Sequence, residues 1–375
     1  MIYFGNQGIC IDFIWVGWVV LNDHVLYTGV ILLFMFTDIV RPGVGMWGSK
    51  EVTGLRHPEL RALATDLPRT LLSSWSVNTN KAYNSAFKKW ADWADKFEEV
   101  SALPASALHV SLYLVALSQQ QTSVATINNV LAAIAWAHRI AGHTSPTEHK
   151  TVKIIAEGVK RQASRPRKVA SPISPLHILS MVNITELNSL QDLRTMALIL
   201  LAFSGFLRFA EVSSIRTENV CIKETHLEIF LPTAKNDQFR QGQTVFIACT
   251  GKSTCPVKML QRYLAVSGID LKTNQFIFRN VQHKRGVITM VGADQCMTYS
   301  RVNELVKEKF RKIGLDCALY KLHSLRAGGS TAAANHHVPD RAFQRHGRWR
   351  TTAVKDSYVS DSLADLLEVS QNLGI

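Results

Sequence analysis

A basic, proline-rich stretch near the middle of the chain divides the sequence into two parts that we expect to fold as separate domains. Residues 160–175, KRQASRPRKVASPISP, contain five basic residues and three prolines and show no apolar period. Each proline lacks a backbone N–H and disfavours helical backbone in the residue before it, so this stretch is a poor helix or central strand. We therefore assign residues 161–175 to a linker, and a chain of 375 residues is long enough for a domain on either side.

The part before the linker has the periodicity of amphipathic helices. In residues 78–100, NTNKAYNSAFKKWADWADKFEEV, apolar side chains recur at every third or fourth position, which predicts a helix with one face in a core. Two more helices are predicted over ALHVSLYLVALSQQ and SVATINNVLAAIAWAHRIAGH, the second capped by Ser123 and ended by Gly142. We expect residues 67–160 to form an all-helical domain. The core face of its first predicted helix consists of Tyr83, Phe87, Trp90, Ala94 and Phe97.

The part after the linker combines helices with a small sheet. The stretch DLRTMALILLAFSGFLRFAEVSSIRTENV predicts a buried helix, a glycine-containing turn and the start of another helix. The segments THLEIFLPTAK and QTVFIAC flank the polar sequence NDQFRQG and predict a hairpin. Later segments, including YSRVNELVKEKFRKIG and SLADLLEVSQNLG, are again helical in pattern. The predicted fold class of the whole protein is mainly α with a small antiparallel β-sheet, and residues 176–375 form the second domain.

The charge of the chain indicates a polyanionic partner. Basic residues outnumber acidic ones by 42 to 29, and 38 of the basic and 24 of the acidic residues lie within residues 66–375, a balance of +14 for that part. Such an excess favours nucleic acid, because binding releases counterions. Two groups of basic residues lie off the apolar faces and either contact DNA phosphates or are simply solvated: Lys81, Lys88 and Lys89, and the linker residues Arg165, Arg167 and Lys168.

The N-terminal residues differ in character from the rest. Residues 1–48 contain the apolar runs ICIDFIWVGWVVL and VLYTGVILLFMF, and neither reaches the ~20 residues of a membrane span. They fit a poor span, a signal-like segment without a basic start, or translated sequence outside the folded protein, and we favour the last. We treat residues 1–66 as an unassigned extension and do not expect a membrane protein. The six cysteines lack Cys-x-x-Cys and metal-ligand spacing, so we expect neither a disulfide framework nor a zinc site.

Two pairs of residues three positions apart have the chemistry to bind one phosphate. His323 and Arg326 would project from the same face of a helix, and a guanidinium matches two phosphate oxygens. Arg208 lies among apolar neighbours, where a cation needs a carboxylate or a ligand, and Glu211 can orient it. Taken alone, Arg208 and Glu211 fit an ordinary ion pair equally well, and His323 fits a structural histidine. Their joint order with later residues favours a site.

That order resembles the tyrosine recombinase, or phage integrase, family, and the resemblance covers residues 67–375. Arg208 and Glu211 match the first arginine box, and His323 and Arg326 match the His-x-x-Arg box. One position is histidine or tryptophan in the family, and tryptophan there is a Cre-like feature. The sequence GFLRFAEV is similar to recombinases of eukaryotic DIRS and Crypton elements. The remaining matches are the hairpin lysine Lys235, Trp349, and the nucleophile Tyr358, nine residues after it.

The resemblance implies a mechanism without metal or small-molecule cofactor. Tyr358 would attack a DNA phosphodiester and form a 3′-phosphotyrosyl link with a free 5′-hydroxyl. His323 resembles the base for this step and Lys235 the acid for the leaving oxygen. The donors for the charge that develops on the phosphoryl group would be Arg208, Arg326 and Trp349, with Glu211 in support and His346 in a secondary role.

The resemblance also implies an architecture and partners. Residues 67–160 would be a core-binding DNA-binding domain and residues 176–375 the catalytic domain, assembled as a homo-tetramer on double-stranded DNA through the C-terminal tail. The tail leucines Leu363, Leu366, Leu367 and Leu373 fit docking on a neighbouring protomer or packing on their own domain equally well. An element of eukaryotic origin would place the protein in the nucleus, and a prokaryotic one in the cytoplasm. The alternative functions are a type IB topoisomerase and a DNA-binding protein that has lost its activity.

Overall fold

The structure is a computed structural model that describes residues 54–166, 169–233, 241–284, 287–361 and 363–374. The chain divides into two compact units at Pro166. The apolar runs of residues 1–48, together with Arg167, Lys168 and Lys235, lie outside the described residues. Within the described ranges, each helix is too short or too polar to cross a membrane.

Five α-helices make up the described part of the first unit. Serine side chains at positions 76, 106 and 123 cap three of them by accepting the backbone N–H three residues later. A helix of this unit precedes the predicted domain start at Leu67: Pro58 is favoured in a first helical turn, and the His57 ring accepts the Glu59 N–H. The helices are α1 (Pro58–Ser73), α2 (Val77–Ala94), α3 (Ala107–Gln119), α4 (Val124–Ile140) and α5 (Lys150–Ala163).

The predicted core face of α2 is buried over most of its length. Phe87, Trp90 and Ala94 are buried, and the Trp90 ring lies 5.2 Å from the Tyr113 ring of α3. The Trp90 indole Nε1 donates to the carbonyl of Ala102 at 3.0 Å, so this large residue leaves no polar atom unsatisfied. Phe97 is exposed, contrary to the prediction, because α2 ends at Ala94 and the helical register stops there.

The predicted linker is only partly a free connection. Helix α5 continues to Ala163, and the far end of the linker is built into the second unit. The Ser171 N–H donates to the carbonyl of Leu319 at 2.9 Å, and the Ile173 N–H donates to the carbonyl of Ser324 at 3.0 Å. Ile173 is fully buried in the core of that unit. The buried Ile173 side chain therefore anchors the end of this otherwise polar stretch to the second unit.

The second unit surrounds a long buried helix. That helix, residues Leu190–Ser204, is buried on nearly every side and packs against neighbours on both flanks. The described helices after the linker are α6 (Pro175–Asn183), α7 (Leu190–Ser204), α8 (Phe209–Ser213), α9 (Pro256–Ser267), α10 (Tyr299–Lys312), α11 (His323–Asn335), α12 (Asp340–Gly347), α13 (Thr352–Asp356) and α14 (Leu363–Gln371).

The β-structure is antiparallel, and the predicted hairpin is confirmed. Strand β2 pairs with β3 over six positions from His226 opposite Ala248 to Leu231 opposite Gln243, and β1 pairs with the other edge of β2. A second hairpin was not predicted, because its two strands have only four residues each and lack a clear apolar alternation. The described strands are β1 (Val220–Ile222), β2 (His226–Leu231), β3 (Gln243–Ala248), β4 (Val281–Lys284) and β5 (Val287–Met290). The mainly helical fold with a small antiparallel sheet is thereby confirmed.

The buried face of α3 gives a direct test of the first unit's core. Leu114 is fully buried, whereas Leu112 on the same helix is 50% exposed. We expect Leu114→Ala to lower the free energy of unfolding by about 2–5 kcal/mol, because it removes buried methyl groups and leaves a cavity. Leu112→Ala makes the same change in helix propensity and should cost less than about 0.5 kcal/mol. Chemical denaturation of the full chain measures both, and equal losses would contradict the assigned core.

Candidate active site

The turn between α7 and α8 places Arg208 at the start of a helix. Helix α7 ends at Ser204, and Phe206 adopts left-handed backbone with φ 48°. Arg208 then precedes the first turn of α8, in which Glu211 lies. The Glu211 carboxylate accepts both the Arg208 backbone N–H and its Nη1, each at 2.8 Å. The two carboxylate oxygens of Glu211 thus cap the first turn of α8 and orient the Arg208 guanidinium.

Helix α11 carries His323 and Arg326, and two of its glycines lie against neighbouring backbone, one beside the linker and one beside the end of α7. A Cβ at Gly328 would lie 2.0 Å from the carbonyl oxygen of Ile173, and one at Gly329 would lie 2.0 Å from that of Phe203. A side chain at either position would therefore collide with backbone that has no room to move. The small residues of this stretch allow α11 to approach α7 closely.

Arg326 is fully buried beneath the turn. Its Nη2 donates to the carbonyl of Gly347 at 2.7 Å, and its Nη1 donates to the carbonyl of Phe206. Its Nη1 also lies 3.9 Å from the Glu211 carboxylate. Burial, followed by the positive charges of Arg208 and Arg348, lowers the pKa of Arg326 to about 10. The side chain therefore stays cationic at neutral pH in a place that favours an anion.

Arg348 is part of this cluster, and sequence reasoning did not identify it. It has left-handed backbone with φ 58°, and its side chain is 4% exposed. Its Nη1 donates to the carbonyl of Gly205 at 3.1 Å, and its Nη2 donates to the carbonyl of Phe206 at 2.9 Å and to Glu211 at 3.0 Å. The sequence offered one indication that Arg348 belongs to the site, its position between Gly347 and Trp349. That indication was weak, because a basic residue in a basic stretch also fits a solvated surface.

Glu211 is the single carboxylate that contacts all three of these arginines. Burial raises its pKa, but the charge of Arg348 and the hydrogen bond from the Arg208 backbone outweigh this effect, and the pKa lies below its usual value. The carboxylate is therefore ionised. Three guanidinium groups against one carboxylate leave the cluster with two uncompensated positive charges.

Aromatic rings form the other side of the cluster. The Tyr358 ring lies 5.1 Å from the His323 ring and 5.4 Å from the Trp349 ring, and the Arg326 Cζ lies 5.0 Å from the Tyr358 and Trp349 ring centres. Trp349 is buried against Phe206, and its indole Nε1 has no hydrogen-bond partner among the described residues. Five of the six predicted catalytic residues are thus neighbours or share Glu211 as a neighbour.

The other predicted residues fall into three groups. His346 lies beside the turn, where its Nε2 donates to the carbonyl of Ser204 at 2.8 Å, and burial lowers its pKa, so its neutral ring supports the turn. Lys235, predicted between β2 and β3, lies outside the described residues. Of the predicted DNA-contacting residues, those within the described ranges are all exposed: Lys81, Lys88, Lys89 and Arg165.

Comparison with known proteins identifies the family. The sequence model of the phage integrase family matches residues 174–363, about half of the chain. The chain belongs to the phage integrase family. The matched range includes the buried cluster and Tyr358, so the part of the chain that is similar to known integrases is the part that forms the site.

Individual relatives extend the similarity beyond the matched range. A XerD-homologue integrase/recombinase of Selenomonas ruminantium is 26% identical over 301 residues, which cover 79% of this chain and 85% of the relative. Recombinase Cre of Escherichia phage P1 is 22% identical over 305 residues, 76% of this chain and 84% of Cre.

Two solved structures share the fold of this integrase-family chain. XerH site-specific recombinase bound to its palindromic difH substrate superposes with a TM-score of 0.53 at 13% identity, over 79% of this chain and 78% of XerH. A lambda integrase dimer bound to a COC′ core site superposes with a TM-score of 0.51 at 14% identity, over 82% of each chain.

Substitution of Arg348 tests the buried cluster. Arg348→Lys keeps the charge and the left-handed backbone but removes the planar fork that joins Glu211 to two carbonyls. We expect it to lower the free energy of unfolding by about 1–3 kcal/mol, because buried hydrogen-bond partners lose their donor. Arg345→Lys, at an exposed position of α12, is the matched control and should change it by less than about 0.5 kcal/mol. Denaturation of both full-length variants makes the measurement, and indistinguishable stabilities would remove Arg348 from the cluster.

Proposed function

We propose that this chain is a site-specific DNA recombinase that cuts and rejoins DNA through a 3′-phosphotyrosyl intermediate. The observation that carries the proposal is the position of the Tyr358 ring, in contact range of His323, Trp349 and Arg326, beside a buried cluster with two uncompensated positive charges. A backbone phosphate supplies the negative charge that this cluster lacks. The match to the phage integrase family supports the same reaction and does not favour the alternatives.

The geometry supports a division of labour in the first step. The Tyr358 hydroxyl attacks the phosphorus, and the bond to the 5′-oxygen breaks, so the energy of the phosphodiester is kept in the phosphotyrosine. His323, whose ring faces Tyr358, would accept the phenol proton. Arg208, Arg326 and the unpaired Trp349 Nε1 would donate to the phosphoryl oxygens as their charge grows. Lys235 would protonate the leaving oxygen.

Glu211 and Arg348 would act on the reaction indirectly. Glu211 orients Arg208, and Arg348 holds Glu211 ionised and fixed against the turn. Donors that are already in place before the reaction stabilise developing charge most effectively, because nothing has to reorganise when the charge appears.

Exposed basic residues fit contacts with the DNA backbone. Lys81, Lys88 and Lys89 belong to α2, and Arg165 follows α5 in the basic segment that also contains Arg167 and Lys168. Such contacts would position the enzyme on double-stranded DNA without specifying sequence and would make binding sensitive to salt. A mobile genetic element is the source we propose, with action in the nucleus of a eukaryotic host or in the cytoplasm of a prokaryotic one.

Replacement of the nucleophile tests the chemistry. With a DNA substrate nicked so that the cleaved strand diffuses away, we expect the native protein to accumulate a covalent protein–DNA complex. Tyr358→Phe should form none, because the attacking oxygen is gone, while its salt-dependent DNA affinity stays within about twofold. Denaturing electrophoresis detects the complex, and Tyr299→Phe, at an exposed tyrosine, is the matched control.

Three results would redirect the assignment. A covalent complex that persists in Tyr358→Phe would exclude this tyrosine as the nucleophile. Salt-dependent DNA binding without any adduct from the native protein, on substrates of varied sequence, would favour a binding protein that has lost its activity. Relaxation of supercoiled DNA by a strict monomer, without exchange between sites, would favour a topoisomerase.

We further propose that the C-terminal tail joins protomers of a homo-tetramer on DNA. Helix α14 has three leucines exposed by 41–71%, and Leu373 beyond it is 61% exposed. Exposure of all four argues against their packing on the chain's own core. An amphipathic helix with an uncovered apolar face gains stability by inserting that face into a groove of a second copy.

Polar substitutions in the tail test this assembly. Leu366→Ser combined with Leu367→Ser should shift DNA-bound protein from multimers towards single protomers, because each leucine loses about 1.5–3 kcal/mol of burial in the interface. Leu176→Ser, at a leucine of α6 that is 73% exposed, is the control. Sedimentation on DNA measures the assembly, and an unchanged distribution in the double variant would leave the tail without this role.

A further inference from the structure

Two cysteines of the second unit lie next to each other at some distance in sequence from the active-site residues. Cys249 directly follows β3, and Cys255 directly precedes α9. Their Sγ atoms are 3.8 Å apart, too far for a bond and close enough for one to form after a small side-chain rotation. The proposed recombination mechanism uses neither residue.

The backbone holds the two sulfur atoms opposite each other. The Cys249 N–H donates to the carbonyl of Thr225 at 2.8 Å, which continues the ladder of the sheet. The Cys255 N–H donates to the carbonyl of Lys252 at 3.0 Å, which closes the turn between the two cysteines. In this turn Gly251 has φ 70°, a conformation that favours glycine. The pair is thus fixed by a short, hydrogen-bonded connection between two regular elements.

The two thiols differ in environment. Cys255 is fully buried, whereas Cys249 is half-buried and packs against the edge of the core. Burial raises the pKa of Cys255, but backbone N–H groups, first that of Lys258 and then that of Thr250, outweigh it and lower the pKa to about 7. At neutral pH a large fraction of Cys255 is thiolate, the form that attacks oxidised sulfur.

We propose that Cys249 and Cys255 form a peroxide-sensitive dithiol that closes to a disulfide, with Cys249 as the sulfur that peroxide oxidises and Cys255 as the sulfur that resolves it. The half-buried thiol is the one a small oxidant reaches, and the buried thiol lies 3.8 Å from that sulfur. The site is a modification site, and its reagent class is hydrogen peroxide or an alkyl hydroperoxide.

The two steps balance. Cys249 S–H and hydrogen peroxide give Cys249 sulfenic acid and water, as the sulfur loses two electrons to the breaking O–O bond. The Cys255 thiolate then attacks the Cys249 sulfur, the S–S bond forms, and hydroxide leaves with the electrons of the S–O bond. A dithiol reductant reverses the oxidation by thiol–disulfide exchange.

Peptide mapping tests the proposal on the full chain. Reduced protein is treated with hydrogen peroxide, its remaining thiols are alkylated, and it is digested with trypsin. Lys252 lies between the two cysteines, so the disulfide would join the peptide of residues 241–252 to that of residues 253–258. We expect this linked pair in the native protein and in the control Cys221→Ser, which alters an exposed cysteine on β1. A dithiol reductant should abolish it.

Single-cysteine variants separate the two roles. In Cys255→Ser, the sulfenic acid at Cys249 should persist and be trapped by a 1,3-dione reagent, whereas in Cys249→Ser no linked pair and no trapped adduct at Cys255 should form. In the native protein the rate of closure should rise with pH through about 7, because the attacking group is the Cys255 thiolate. Both thiols remaining alkylatable in native protein after peroxide has oxidised Cys221 would overturn the proposal. A trapped adduct at Cys255 in Cys249→Ser would overturn the assignment of roles.

Discussion

The contact between Glu211 and three arginines governs how the second unit is arranged around its buried cluster. Each of these charges would be costly to bury alone, since removing an ion from water costs several kcal/mol even after relaxation. The carboxylate offsets part of this cost for Arg208, Arg326 and Arg348 together, and two positive charges remain. An interior with this imbalance is more favourable when an anion is bound. We infer that this electrostatic strain of the free protein would give the proposed site its affinity for a phosphate.

The cluster also completes the end of the central helix. The last carbonyls of an α-helix have no partner within the helix and carry partial negative charge. At the end of α7 the carbonyls of Ser204, Gly205 and Phe206 accept from His346, Arg348 and Arg326. Two of these three donors, Arg326 and Arg348, thus close the end of α7 and also belong to the positive cluster at which we propose that a phosphate binds. One set of hydrogen bonds therefore ends α7 and holds the charges that we propose bind the substrate. These bonds explain why segments so distant in sequence meet here.

Sequence patterns predicted what depends on local chemistry. The cap at Ser123, the buried face of α2 through Phe87 and Trp90, and the β2–β3 pairing follow from periodicity and capping, and the structure has them. Arg348 was missed because its role depends on left-handed backbone and on carbonyls about 140 residues away in the chain. The resemblance to the family named Arg208, Arg326, Trp349 and Tyr358, and the structure brings them together. Their roles in catalysis remain predictions until an adduct is measured.

The proposed nucleophile follows a helix with fewer buried residues than the one that carries Arg326. Arg326 lies on α11, which has six buried residues and touches α7 through Gly329. Tyr358 follows the five-residue helix α13, in which Lys355 is the one buried residue and pairs with Asp340 at 2.5 Å. The Tyr358 side chain is held by its ring contacts, and its carbonyl accepts the Thr331 hydroxyl at 3.4 Å. Segments with few buried contacts open at low free-energy cost. Deeply buried hydrogen-bond donors beside a tyrosine on a less buried segment would suit the proposed reaction, in which the tyrosine bonds to DNA and is later released while the phosphate stays in place.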